Sequence, residues 1–243
     1  MPLEEIINRQ GIIISAPASG AGKTTVTLGL INAFARKRSV QPFKSGPDYI
    51  DSKFQSVAAD RPSYNLDTWA MSSSDILNMI GMVGPSDICI AEGSMGLFDG
   101  VISKGAGGNG STADLASITN WPVILVVDCA KQAQSVAALI TGFNSFRHDI
   151  TIGGVILNNI SSKRHEALVV SEVSKTKVPI LGVIPRSNEL TIPERHLGLV
   201  QAEDLSDLEQ LIFKLGTLIE ENCDLEAIAC TARNSSPAIP TLQ

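Results

Sequence analysis

Residues 11–30 read GIIISAPASGAGKTTVTLGL: an apolar, β-branched run, a loop of small residues with one proline, and a Gly-Lys-Thr that opens an apolar helical segment. Strand, small-residue loop and helix in immediate succession constrain this chain more than any other stretch, because that order frames a phosphate-binding loop. Small residues from Ala16 to Ala21 let backbone N–H groups close around phosphate oxygens, and the helix N-terminus adds its positive dipole end. Lys23 then reaches the β- and γ-phosphates and the Thr24 hydroxyl ligates magnesium. Ser19, Gly20, Ala21, Gly22, Lys23, Thr24 and Thr25 are the candidate nucleotide-binding residues, with Thr25, one place into the helix, also readable as a packing or capping residue. The pattern departs from GxxxxGK[ST] at its first position, where Pro17 replaces glycine.

The remaining chain repeats the rhythm. Apolar runs at 11–15, 40–43, 87–91, 123–128, 152–157 and 179–184 are separated by helix-length segments and lack hydrophobic/polar alternation. Runs of that kind are strands buried on both faces, joined by right-handed crossovers into a doubly wound, mostly parallel sheet. The fold class expected is therefore α/β, of the P-loop NTPase kind. An apolar fraction of 44% with only 5% aromatic residues suits aliphatic layers between helices and sheet, and 243 residues suit one domain. A last helix is expected at 205–221, where Leu205, Leu208, Ile212, Leu215 and Ile219 recur at helical spacing. We expect the domain to run from 1 to 222 and residues 223–243, ending in NSSPAIPTLQ, to form a tail or interdomain linker.

A net charge of −6 argues against a broad footprint for nucleic acid or anionic lipid. No apolar stretch reaches transmembrane length, the first ten residues lack the form of a signal peptide, and the four cysteines show neither zinc nor disulfide spacing. A cytoplasmic protein without nucleic-acid or membrane partners is expected.

In a doubly wound sheet, chemistry gathers in the loops after the strands. After the second strand, KSGPDYID sets Lys44 beside Asp48 and Asp51: Lys44 can neutralise a phosphate or a substrate carboxylate and either acid can serve magnesium, or the string is a Gly-Pro turn with solvated charges. After the third, AEGSMGLFDG puts Glu92 at a strand tip opposite the phosphate loop, a usual place for a metal-serving acid, with Asp99 seven residues on. The glycine-rich run 105–112 reads equally as a phosphate-approaching or a flexible surface loop. Asp128 ends the fourth run, and Asn158-Asn159 after the fifth offer amides suited to a base edge or merely to a turn. His148, His165 and His196 are too scattered for a metal triad.

The ordered strings SAPASGAGKTT, KSGPDYID, YNLDTW, AEGSMGLFDG, GVILNNI, PILGVIPR and PERHLGLV resemble the ATP-dependent synthetase domain of the cobyrinate (or hydrogenobyrinate) a,c-diamide synthases, within the dethiobiotin-synthetase-like P-loop superfamily. The resemblance runs from residue 11 to about 232. It implies magnesium- and ATP-dependent amidation of the a and c side-chain carboxylates of a corrinoid through an acyl phosphate, in cobalamin biosynthesis. It implies Lys23, Lys44, Asp48 and Asp99 as catalytic, and Thr24, Asp48 and Glu92 as metal-holding residues. Tyr49, Asp51 and Asp99 would face the substrate, and Asn158 with the Pro185-Arg186 turn would border adenine. The family carries a C-terminal glutaminase domain as its ammonia source, and no such domain is expected within this sequence; monomer and homodimer both stay open. Two enzymes share nearly every motif or the fold, a nickel-sirohydrochlorin a,c-diamide synthase and a dethiobiotin synthetase. A partition-type ATPase switch is the reading from a different class, opposed by Ala18 where such proteins place a second lysine and by the acidic 205–221 helix.

Overall fold

A computed structural model describes residues 9–187 and 205–233. The motif at 193–200 with His196, residues 1–8 and the end of the chain from 234 lie outside the described residues. The strands are β1 Gly11–Ser15, β2 Val40–Ser45, β3 Tyr64–Leu66, β4 Ile88–Glu92, β5 Val123–Asp128, β6 Ile152–Ile160 and β7 Ile180–Pro185. The helices are α1 Lys23–Ala35, α2 Tyr49–Ala59, α3 Ser73–Met82, α4 Thr112–Thr119, α5 Val136–Phe146, α6 Lys163–Val173, α7 Leu205–Asn222 and α8 Leu225–Arg233. The strands form one sheet in the order β3-β2-β4-β1-β5-β6-β7, with every neighbouring pair parallel. None of the described helices is long and apolar enough to cross a membrane.

Two apolar layers hold the sheet. Ile12, Ile14, Ile88, Ile90, Ile124 and Ile156 pack under α1, α2, α7 and α8. Their neighbours of opposite parity, among them Ile13, Cys89, Ala91, Leu125 and Leu157, pack under α3, α4, α5 and α6. β1 is buried throughout because helices cover both faces, which is why its sequence shows no alternation. The chain leaves β1 for β2 on one side and later places β5 on the other, so a crevice opens at the C-terminal tip of β1.

Three features differ from the sequence expectation. β2, β4 and β6 run on through Lys44-Ser45, Glu92 and 158–160, which puts those polar residues, Asn158 and Asn159 among them, within strands rather than in the loops after them. β3, an edge strand of three residues, is too short to show a period. The segment 223–233, read as the start of a tail, carries α8. Ile228, Ala229 and Ala232 bury against the sheet, and the Asp224 carboxylate accepts from Ala227 N–H at 2.9 Å at the helix start. Nine residues give too little periodicity to outweigh the turn-like Cys223-Asp224 beside them, and docking on a sheet face decides the matter.

Because Ile228 is fully buried, Ile228→Ala should cost about 2–5 kcal/mol in urea unfolding. A frayed tail would lose less than about 0.5 kcal/mol.

Candidate active site

The phosphate loop is locked from two sides. Gly22 caps α1 with φ 85°, and a Cβ there would lie 2.3 Å from Asn158 Nδ2, so backbone conformation and close approach both require glycine. Asn158 donates from that nitrogen to Ala21 O at 2.9 Å, fastening the tip of β6 to the loop. On the other side, Leu97 N–H donates to Ala16 O at 2.9 Å and Lys23 Nζ to Met95 O at 2.8 Å. Pro17, the departure from the motif, has its carbonyl 2.6 Å from where a Cβ on Gly96 would stand, so the loop after β4 packs at that position. Burial pushes the Lys23 ammonium below its ordinary value, with Lys44 adding to that and Glu92, Asp51 and Asp99 opposing it.

Beside this loop the sheet register brings charge together. Lys44 and Glu92 are partners across the β2–β4 ladder, on the face covered by α1 and α2. Glu92 has no exposed surface and Lys44 is 3% exposed. Glu92 Oε1 accepts from Thr24 Oγ1 at 2.7 Å and from Lys44 Nζ at 3.1 Å, while Oε2 accepts from the Gln55 amide at 2.8 Å. Lys44 also meets Asp51 at 2.5 Å and Asp48 at 3.8 Å. Burial alone would lower the Lys44 pKa, but attraction to Glu92, Asp51 and Asp48 outweighs it and leaves the value raised. Burial and then repulsion from Glu92 push Asp51 upward, against the pull of Lys44. The Gly-Pro turn of the sequence exists, but its charges are not solvated strays.

Asp48 caps α2, accepting from the N–H groups of Ile50 and Asp51 at 2.9 and 3.1 Å. Asn65 on β3 pins that turn by donating to Gly46 O and Asp48 O, each at 2.8 Å. Tyr49 stands 78% exposed at the first turn of α2, free to meet a ligand outside the node. Asp99 is exposed and accepts from Gly96 N–H at 2.9 Å, closing the turn that carries Met95. Part of the glycine-rich run is held by backbone contacts: Ala106 N–H donates to Trp69 O and Gly107 N–H to Thr68 O, at 2.8 and 2.9 Å. A Cβ at Gly105 would sit 1.9 Å from Trp69 O, so glycine here serves backbone contact with the YNLDTW segment.

On the far side of the phosphate loop a cavity of about 200 Å³ is lined by Gly20, Gly22, Thr25, Asn158, Pro185 and Leu218, among others. Arg186 is exposed and its N–H holds Ile160 O at 2.9 Å, which ties the β7 end to β6. Asp128 is occupied by Asn159 Nδ2 at 2.8 Å. His165 bridges loops, with Ser161 N–H donating to Nδ1 at 3.1 Å and Nε2 facing Gln132 O at 2.7 Å.

The structure thus gathers Lys23, Thr24, Lys44, Asp48, Asp51 and Glu92 into one node, with Tyr49 and Asp99 at its rim, and places Thr25, Asn158 and Pro185 around a separate cavity. Sequence reasoning missed Gln55, Asn65 and the α7 contribution to the cavity by Leu215, Leu218 and Ile219. Gln55 was legible in principle, since it lies one helical turn after Asp51. The α7 stripe reads simply as core, which most of it is.

The family profile described as the CobQ/CobB/MinD/ParA nucleotide binding domain matches residues 12–200. The chain is 46% identical over 224 residues to a hydrogenobyrinate a,c-diamide synthase of Rhodobacter capsulatus, covering 92% of this chain and 52% of the relative. It is 47% identical over 222 residues to one of Brucella ovis, covering 90% and 50%. The chain therefore spans about half the length of the curated relatives it matches. Among solved structures, the MinC:MinD cell division complex of Aquifex aeolicus is similar at TM-score 0.50 and 17% identity, covering 92% of this chain and 94% of that one. That likeness speaks for the fold alone.

Asp51 supplies a pH test. Its raised pKa means that the folded state binds this proton more tightly than the unfolded chain, where the group titrates near 3.8. The stability that Asp51 confers is then largest below that value and declines as pH rises to the folded pKa, levelling above it. Urea unfolding from about pH 3 to about pH 7 should show the stability of wild type minus that of Asp51→Asn falling with pH. A rising difference would mean that attraction to Lys44 dominates instead.

Proposed function

Since the chain belongs to the CobQ/CobB/MinD/ParA nucleotide-binding domain family, we propose that it binds ATP with magnesium and amidates the a and c acetate side chains of a hydrogenobyrinic acid-type corrinoid, in cobalamin biosynthesis. One observation carries this reading: Glu92 is hydrogen-bonded at once to Thr24, in the first turn of α1 after the phosphate loop, and to Lys44 at the end of β2, joining nucleotide site and acids in one unit. The names of the relatives, synthases at 46–47% identity over at least 90% of this chain, supply the substrate class.

A carboxylate is a poor electrophile, so amidation needs its oxygen replaced by a leaving group. A substrate carboxylate oxygen attacks the γ-phosphorus and ADP leaves. Ammonia then attacks the carbonyl carbon of the acyl phosphate, phosphate departs with the substrate oxygen, and the nitrogen loses a proton. The protein's contribution is placement and charge neutralisation. Lys23 and Lys44 bring two ammonium groups to the transferring phosphoryl group, and Lys44 is held in position by Asp51, Glu92 and Asp48. Tyr49 and Asp99, exposed beside the node, meet the substrate, and Asp51 orients Lys44 towards it. Asn158 and Pro185 line the cavity that takes the base, and Arg186 stands between Pro185 and Ser187 of its lining.

The donor chemistry suits magnesium: a hydroxyl and a carboxylate, both hard oxygens, converge at 2.7 Å beside the phosphate loop. Thr24 and Glu92 would hold the ion, with Asp48 in reach of the same node through Lys44. When bound, magnesium would neutralise the negative charge of the transferring phosphoryl group. Ammonia would come from a glutaminase domain like that of the family, or from solution.

ADP release by this chain with magnesium-ATP and ammonia tests the proposal. Hydrogenobyrinic acid should support turnover and gain amides, whereas cobyrinic acid, nickel-sirohydrochlorin and diaminopelargonic acid should do so less well. Lys23→Ala should lower the rate by at least about 10²-fold. Turnover equal without any of the four compounds would sink the amidation reading and leave the nucleotide-binding family alone standing.

A further inference from the structure

Nothing within a glutamate side chain fixes the plane of its carboxylate, since the terminal torsion is broad and roughly two-fold. Glu92 nevertheless presents different oxygens to different partners. Oε1 faces Thr24 and Lys44, and Oε2 faces Gln55. Gln55 has no exposed surface. Its amide is itself oriented, because Ser63 Oγ donates to Gln55 Oε1 at 2.8 Å and so leaves the nitrogen end for Glu92. Ser63 is anchored in turn, its N–H donating to Ser56 Oγ at 2.8 Å, and Ser56 donates to Ser52 O at 2.7 Å on α2. The result is a hydrogen-bonded line from the backbone of α2 to the acid at the tip of β4.

Residue type matters at each step of this line. A carboxylate in place of the amide would repel Glu92, and an ammonium would compete with Lys44 for it. Glutamine gives a buried donor without altering the charge of the node, and its second polar end is satisfied. We infer that Gln55 is a positioning residue: it fixes the plane of the Glu92 carboxylate so that Oε1 meets the Thr24 hydroxyl, and thereby sets the magnesium affinity of the nucleotide complex. This rests on the reading above that Thr24 and Glu92 hold magnesium. It extends that reading to a residue that would touch neither metal nor nucleotide, in the way partners behind metal ligands tune them.

Binding of a fluorescent ATP analogue, titrated with magnesium and compared with binding in EDTA, separates this role from general damage. Gln55→Leu should raise the magnesium concentration for half-maximal effect about 10-fold while leaving affinity in EDTA within about twofold. Ser63→Ala, at a half-buried position, should shift the magnesium dependence in the same direction by less. An unchanged magnesium dependence in Gln55→Leu overturns the inference. So does equal weakening with and without magnesium. Should Gln55→Leu fail to fold, Ser63→Ala decides, and no shift there overturns it. Thr24→Ala keeps the two levels apart. If it abolishes the magnesium dependence while Gln55→Leu leaves it intact, only the role of Gln55 falls; if Thr24→Ala also changes nothing, the metal reading of the site falls with it.

Discussion

Glu92 sits in the ladder at the tip of β4 with no exposed surface, and a buried carboxylate must be given donors or it destabilises the fold. Lys44, its register partner on β2, supplies one from 3.1 Å, Thr24 on α1 another and Gln55 on α2 a third. These contacts draw the phosphate loop, the second strand and the second helix to one point. They also explain the order of the sheet around the site: only with β4 between β1 and β2 do Ile14, Glu92 and Lys44 stand level. The acids of the loop after β2 then find their counter-charge already in place, since Asp51 and Asp48 both lie against Lys44.

Much of this was readable in the residues. The phosphate loop and six of the strands follow from small-residue and apolar patterning alone, because strands buried on both faces have no alternation to obscure. The acids after β2 and β4 were identifiable as chemistry-bearing from their place at strand ends. Their partners were not: whether Lys44 faces Glu92 depends on which strands are neighbours and in which register, and both are long-range properties. Gln55 carried a weak local signal, one turn from Asp51 on the face that also buries Phe54 and Ala58. The glycine-rich run 105–112 misled in a different way. Glycine permits flexibility and also permits close packing, and only the Trp69 carbonyl beside Gly105 decides which. α8 escaped because its order comes from docking rather than from its own nine residues.

The fold itself is shared with proteins of other activities, MinD among them, so it cannot select a reaction. The proposed reaction rests instead on the acid-bearing segment after β2. Asn65 holds its turn and Lys44 neutralises its acids, and the turn carries the exposed Tyr49 outward. The proposed amidation draws on this arrangement, not on the fold. The relatives named as hydrogenobyrinate a,c-diamide synthases match over the half of their length that this chain spans.

A double-mutant cycle on Lys44 and Glu92, using Lys44→Met, Glu92→Gln and the pair, with stability read by urea unfolding, tests most directly whether this ion pair organises the site. The prediction is that the pair of substitutions costs less than the sum of the single ones, by a coupling of about 1–3 kcal/mol. Additivity within about 0.5 kcal/mol would contradict it, and would mean that Glu92 and Lys44 are neighbours in the ladder without depending on one another.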